Sequence, residues 1–217
     1  MKIKVVQNVL KANTDVAAEN RKLIGSKGMV AINVMSAPGS GKTTLLEKTI
    51  PALMPQHKSA VLVGDLQTTR DAERLAKTGA EVIQINTGKG CHLTASQVAE
   101  GLKTLESHEV SFLWIENVGN MVCPSAFDLG EHYRVVLLSV PEGEDKIAKY
   151  PVLFQPADAV LLTKTDLIHV LDYNIQFVKD DLSRINTRAP FFEISMKTGA
   201  GMDKWLEWLK NKKYSSL

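Results

Sequence analysis

Residues 33–45, Asn33-Val34-Met35-Ser36-Ala37-Pro38-Gly39-Ser40-Gly41-Lys42-Thr43-Thr44-Leu45, leave this chain few choices of fold. The apolar run from Met29 to Met35 predicts a strand, and Thr44-Leu45-Leu46-Glu47-Lys48 has helical character, so Ser36–Thr43 must be the loop between them. A triphosphate needs many donors close together, and only small residues let the backbone approach it. Gly39, Ser40 and Gly41 supply that room. Lys42 adds a charge able to reach the β- and γ-phosphates, and Thr43 offers a hydroxyl to Mg²⁺. The helix that begins at Thr43 and Thr44 aims its first N–H groups at the anion. Ser36 stands where the usual G-x-x-x-x-G-K-[ST] pattern has glycine, a departure from the literal motif that the strand before and the helix after offset. The competing reading is a glycine-rich turn that binds nothing.

The rest of the chain alternates between strand-like and helix-like segments. Residues 5–24 have loosely helical apolar spacing, stopped by Gly25-Ser26-Lys27-Gly28, and predict a helix packed on the sheet or on a partner. Pro51 and Pro55 mark a break. Strands are predicted at 60–65, 81–85, 110–115, 135–140, 159–162 and 191–194, and helices at 69–78, 94–107, 144–150, 172–185 and 202–212. Thr87–Leu93, with Lys89, reads as a loop. Such alternation predicts an α/β fold, a three-layer P-loop NTPase with a mostly parallel sheet flanked by helices. Ligands of such sheets sit beyond the carboxyl ends of the strands.

With 217 residues, 44% of them apolar, one domain is expected, residues 1–28 being an N-terminal helical extension. The near balance of 26 basic and 24 acidic residues predicts neither a nucleic-acid-binding face nor a polybasic membrane anchor, and Lys210–Lys213 reads as a solvated helix end. No apolar run reaches membrane-spanning length, and the first residues lack a signal peptide's apolar centre, so a cytoplasmic protein is expected. There a pair of cysteines, Cys91 and Cys123, reads as buried thiols or metal ligands before a disulfide.

Thr163-Lys164-Thr165-Asp166 follows an apolar strand in the manner of the N/T-K-x-D segment of guanine-specific proteins. Its carboxylate faces N1–H and the exocyclic amine of guanine. A carboxylate facing adenine would forfeit charge-assisted bonds worth about 1.5–3 kcal/mol each. Asp166 is therefore the specificity residue, with Lys164 beside it. Thr163 replaces the common Asn and is expected to relax the bracing of this loop. Ser195-Met196-Lys197, one helix and one strand later, resembles the S-A-K loop that supports the base from the other side. An ordinary helix N-cap at Asp166 is the alternative. For Mg²⁺, Glu116 and Asp65 are the strand-end carboxylates available besides Thr43, with Glu116 preferred and Asp65 an alternative brace or water-positioning group. Lys42, Asp65 and Glu116 form the expected catalytic set. No arginine can be assigned a catalytic role from sequence.

Cys91 and His92 lie at the entrance to the helix starting near Thr94, where the dipole and free N–H groups are expected to favour a thiolate. Cys123 follows Glu116-Asn117-Val118-Gly119, in the position of the D-x-x-G element that senses a γ-phosphate. Thiolate and imidazole suit Zn²⁺ or Ni²⁺, and three ligands leave the fourth place to water, a partner or a second subunit. Two core thiols and a solvated His are the alternative.

With Gly39–Thr44, Gly90-Cys91-His92-Leu93, Glu116–Asn120, Val122-Cys123-Pro124 and Val140-Pro141-Glu142-Gly143-Glu144-Asp145-Lys146 in this order, residues from about 20 to 208 closely resemble the HypB family. These are hydrogenase-maturation nickel-insertion GTPases. The resemblance implies GTP hydrolysis with Mg²⁺, and Ni²⁺ or Zn²⁺ held at a homodimer interface by residues matching Cys91, His92 and Cys123. It further implies nucleotide- and metal-dependent dimerisation, and as partners other nickel-maturation factors and the hydrogenase large subunit. Residues 1–90 contain no cysteine and the single histidine His57, so the N-terminal nickel store of some members is not expected. The related urease-maturation GTPases use a Cys-Pro-His order absent here, which leaves urease delivery a lesser alternative. An ATP-using small-molecule kinase and a zinc-stabilised interaction protein are the rival classes.

Overall fold

The computed structural model describes residues 3–54, 56–65, 68–88, 90–106 and 109–212, with side chains from residue 10 onward. The expectations that fall on Pro55, Lys89, Ser107 and Lys213 lie outside the described residues.

Among the described residues, seven strands form one sheet in the order β3-β2-β4-β1-β5-β6-β7, all parallel. They are β1 Val30–Ser36, β2 Ser59–Asp65, β3 Glu81–Asn86, β4 Phe112–Glu116, β5 Tyr133–Ser139, β6 Ala159–Thr163 and β7 Phe191–Ile194. Every residue of β1, β4 and β6 is buried, as near-continuous apolar strands covered on both faces must be. The helices are α1 Ile3–Ser26, α2 Lys42–Leu53, α3 Arg70–Ala76, α4 Ala95–Thr104, α5 Lys146–Lys149, α6 Pro151–Phe154, α7 Ile175–Ile185 and α8 Met202–Lys210. None is long and apolar enough to cross a membrane. The register lines up Val34 with Glu116, Ser36 with Leu137 and Ser139 with Thr163. The chemistry-bearing residues therefore share the carboxyl edge.

Three apolar clusters fill the layers. Leu45, Leu46 and Ile50 of α2 pack with Trp114 and with Trp205 of α8, whose indole donates to the Thr49 hydroxyl at 3.0 Å. Met35, Leu138 and Phe154 centre a second cluster under α5, α6 and α7. The third joins Ile24 of α1 to Leu62, Val98 and Leu113, so α1 packs on α4 and the sheet.

The expected elements are all present, with shifted ends. Pro51 lies inside α2, not at a break, and three residues on the backbone still closes a bond from Met54 N–H to the Ile50 carbonyl at 3.0 Å. The helix expected over 144–150 is two pieces, because Pro151 forces Tyr150 out of the helical region (φ −126, ψ 50) and then opens α6 itself. α7 starts at Ile175 because Asp172 is left-handed (φ 48) and Asn174 caps Gln176 N–H. Leu105 is extended and ends α4 at Thr104, and Val140 leaves β5 to open a 3₁₀ turn through Glu142.

Gly201 opens α8 at φ +76, and a Cβ there would lie 1.9 Å from the Glu193 carbonyl oxygen of β7. Gly201→Ala is expected to cost about 2 kcal/mol or more in denaturant unfolding; an unchanged midpoint would show that β7 and α8 are not held together in this way.

Candidate functional site

The loop between β1 and α2 wraps an anion-sized hollow. Gly39 and Gly41 are both left-handed (φ 77 and 97), which turns successive N–H groups inward at no steric cost. The buried Lys42 ammonium donates to the Ser36 hydroxyl at 3.1 Å, so the serine at the motif's first position holds the lysine in place. Burial lowers the Lys42 pKa, opposed first by the Glu116 carboxylate and then by Asp71. Ser40, fully buried, lies 2.6 Å from Glu142 Oε1, which ties the loop to the segment after β5. The Thr44 hydroxyl accepts from Arg74 at 3.0 Å, and both residues line the same cavity.

Thr43 donates to Glu116 Oε1 at 2.6 Å. Burial pushes the Glu116 carboxyl up to about 7, against the pull of the Thr43 hydrogen bond and the Lys42 charge. Its other oxygen, Oε2, is buried without a hydrogen-bond partner. A hydroxyl, an orphaned carboxylate oxygen and a phosphate cradle form the donor set of an Mg²⁺–nucleotide complex, so these residues fit the ion. Glu116 and Asp65 line one cavity of ≈ 390 Å³ with the phosphate loop. Asp65 accepts from Thr68 at 3.0 Å on its other flank.

Two residues of that cavity were not singled out by sequence, Asp71 and Arg74. Their signal was position, on the helix directly after the β2 strand that ends at Asp65. Arg74 donates to both Glu47 oxygens at 3.0 and 2.6 Å, to Thr44 at 3.0 Å and to Asp71 at 3.2 Å, and so pins α3 to α2.

At the opposite end of the loop, Asp166 accepts from Ser195 at 2.7 Å and lies 4.0 Å from the exposed Lys197 ammonium. Asp166 sits inside a 3₁₀ turn that Lys164 opens at φ 58, which removes the N-cap alternative. The Met196 methyl lies 2.9 Å from where a Gly41 Cβ would be, so the Ser195–Lys197 loop closes on the phosphate loop. The expected slackening at Thr163 is absent. Its hydroxyl donates to the Ser40 carbonyl at 2.7 Å and braces the two loops together.

Cys91, His92 and Cys123 come together, their ligand atoms all within 4.8 Å of one another and all three residues half-buried. Both thiols are half-buried and free, and the His92 ring lies 3.9 Å from that of Phe127. Burial lowers the His92 pKa, which favours the neutral imidazole. The expected thiolate bias at Cys91 is reversed, because the adjacent Cys123 thiol raises its pKa. The first N–H groups of α4 are also already taken, by the Thr94 hydroxyl on Gln97 and by Asn13 on Ala95.

One segment joins the two sites. After Glu116, Asn117 accepts from Leu93 N–H at 3.2 Å, next to His92. A Cβ at Gly119 would lie 2.9 Å from Pro38 Cα in the phosphate loop, so only glycine fits there. Asn120 then donates to the Cys91 carbonyl at 3.4 Å, three residues before Cys123.

A parallel sheet with this loop and a buried Lys and Glu pair defines a P-loop nucleotide-binding protein, and the thiol–imidazole cluster at its edge is a candidate metal site. Residues 30–193 match the family described as CobW/HypB/UreG, nucleotide-binding domain, and the chain belongs to it. It is 48% identical over 208 residues to the hydrogenase maturation factor HypB of Rhizobium leguminosarum bv. viciae, covering 96% of this chain and 70% of that one. Identity to the hydrogenase/urease maturation factor HypB of Helicobacter pylori strain J99 is 43% over 215 residues, 97% and 88% of the two chains. The crystal structure of HypB from Helicobacter pylori in complex with nickel superposes with a TM-score of 0.88 at 40% identity, covering 95% of this chain and 99% of that one.

A Glu116 carboxyl raised from 4.5 to about 7 means that the folded chain holds a proton the unfolded chain has released. Stability from that neutral form is complete below about pH 4.5 and is lost as pH rises through about 7. The thermal midpoint of the nucleotide-free protein is expected to fall between pH 5 and 8, and less steeply in Glu116→Gln. Mg²⁺-dependent binding of a fluorescent GDP should strengthen over pH 6–8 in the native chain only; equal slopes in both proteins would contradict the assignment.

Proposed function

We propose that this chain is a GTP-hydrolysing metallochaperone that holds Ni²⁺ or Zn²⁺ at a homodimer interface and helps insert nickel into [NiFe]-hydrogenase. The observation that carries it is the convergence of Cys91, His92 and Cys123 at the far end of the segment that begins at Glu116. Lys42 and the Gly39–Thr44 backbone hold the phosphates, Thr43, Glu116 and Asp65 serve Mg²⁺, and Asp166 with Ser195–Lys197 takes guanine over adenine. The names of the relatives, one of them solved with nickel, support the cargo and the hydrogenase as the receiver. The partners are then other nickel-maturation factors and the hydrogenase large subunit, in the cytoplasm.

Three ligands per chain leave the metal incompletely enclosed, and Val122, beside Cys123, is 61% exposed. A second copy facing this edge completes the set and covers the apolar residue. GTP·Mg²⁺ orders the segment from Glu116 to Cys123 and the two chains close. Hydrolysis removes the γ-phosphate contacts, the segment relaxes and the metal passes on. With Arg74 committed to Glu47, Thr44 and Asp71, slow intrinsic turnover fits. Urease is the second receiver to consider, since one relative carries both names.

Size-exclusion chromatography with light scattering across GDP, a non-hydrolysable GTP analogue and Ni²⁺ tests this reading. Native protein should dimerise with the analogue and Ni²⁺, and Cys91→Ala and Cys123→Ala should lose the metal-dependent part. Variants that assemble and hold metal like the native chain would refute it, and ATP binding tighter than GTP would favour a kinase.

A further inference from the structure

We propose that α1 is the strut that sets the geometry of the metal cluster, with Asn13 and Asn20 as its positioning residues; the proposal rests on the metal reading of Cys91, His92 and Cys123. Asn13, Ala17, Asn20, Arg21 and Ile24 recur at helical spacing and form the face that α1 turns inward. Ala17 and Ile24 are apolar packing. The polar members do something more selective, because each reaches the chain just beyond a metal ligand.

Ala95, three residues after His92, has both of its backbone groups held by α1: its N–H donates to Asn13 Oδ1 at 2.9 Å and its carbonyl accepts from Asn20 at 2.8 Å. The stretch beyond Cys123 is held by the same two side chains, through Asn13 to the Asp128 carbonyl at 2.7 Å and Asn20 to the Leu129 carbonyl at 3.0 Å. The buried Asn20 amide thus spends its two N–H groups on the start of α4 and on the stretch beyond Cys123, and ties the two together. Arg21 adds a bond to the Asp128 carboxylate at 2.6 Å. Phe127, next to Asp128, lies with its ring 3.9 Å from the His92 ring, so the anchored stretch presses on a ligand. Gly130 permits the approach, since a Cβ there would lie 2.6 Å from Asn20 Cβ and 2.7 Å from the Ala17 carbonyl.

These contacts fix the separation of His92 from Cys123 whether or not nucleotide is bound. Nucleotide state acts on the same cluster from the other side, through Gly119 and Asn120. Preorganisation from α1 would confer resting affinity, and the phosphate side would modulate it.

The test is competition of Ni²⁺ against a chromogenic chelator in the full chain with GDP bound, alongside fluorescent-GDP affinity, for native protein, Asn20→Ala, Asn13→Ala and Cys91→Ala. Asn20→Ala and Asn13→Ala are expected to weaken Ni²⁺ binding about tenfold, the lower end of what removing a ligand's support costs. GDP affinity should stay within about twofold. Unchanged Ni²⁺ affinity in the folded variants, or a parallel loss of GDP and Ni²⁺, overturns the strut. If Asn20→Ala does not fold, Asn13→Ala, at a half-buried position, decides by the same criteria. Full affinity in Cys91→Ala sinks the metal site and the strut together, whereas loss there with intact Asn variants sinks the strut alone.

Discussion

The close approach of Gly119 to Pro38 is the constraint on which the two sites depend. A backbone without a side chain lies against the phosphate loop, and the same run of residues is tied to the Cys91 loop by Asn117 and Asn120 before it reaches Cys123. On the proposed reading, a γ-phosphate that displaced the phosphate loop would press on the segment leading to Cys123 as well. Well-packed contacts of this kind transmit displacement because interiors are close-packed and do not deform continuously.

The nucleotide end of this lever is held ready by groups that are costly to bury alone. Lys42 and Glu116 are both buried, and each shifts the other toward its charged form against the effect of desolvation. Glu116 keeps one oxygen without a partner, which an ion in the cradle would satisfy. At the cysteine–histidine end, burial lowers the His92 pKa and the neighbouring Cys123 raises that of Cys91, so binding a metal there would release thiol protons, as Mg²⁺ would release that of Glu116.

Much of this was legible in the residues. Apolar runs placed the central strands, because strands buried on both faces leave a continuous signal, and the phosphate loop, the Thr163–Asp166 segment and the two cysteines were picked out by local spacing. Helix ends were less legible: Pro51, Pro151 and Asp172 act through backbone geometry that depends on neighbours. Thr163 was misjudged because the acceptor of its hydroxyl, the Ser40 carbonyl, is 123 residues away. Cys91 was misjudged for a related reason, since the N–H groups expected to stabilise its thiolate are already bonded, one to an asparagine of α1. Asp71 and Arg74 carry no motif and enter the site only because the sheet order puts α3 beside the phosphate loop.

The central claim is that nucleotide state and metal grip are one linked equilibrium. The most direct measurement is the Ni²⁺ dissociation constant of the native chain with GDP bound and with a non-hydrolysable GTP analogue bound, at equal protein concentration. A difference of about fivefold or more, matched by the same factor in the Ni²⁺-induced change of relative nucleotide affinity, is the expected result. Equal constants in the two states would contradict it.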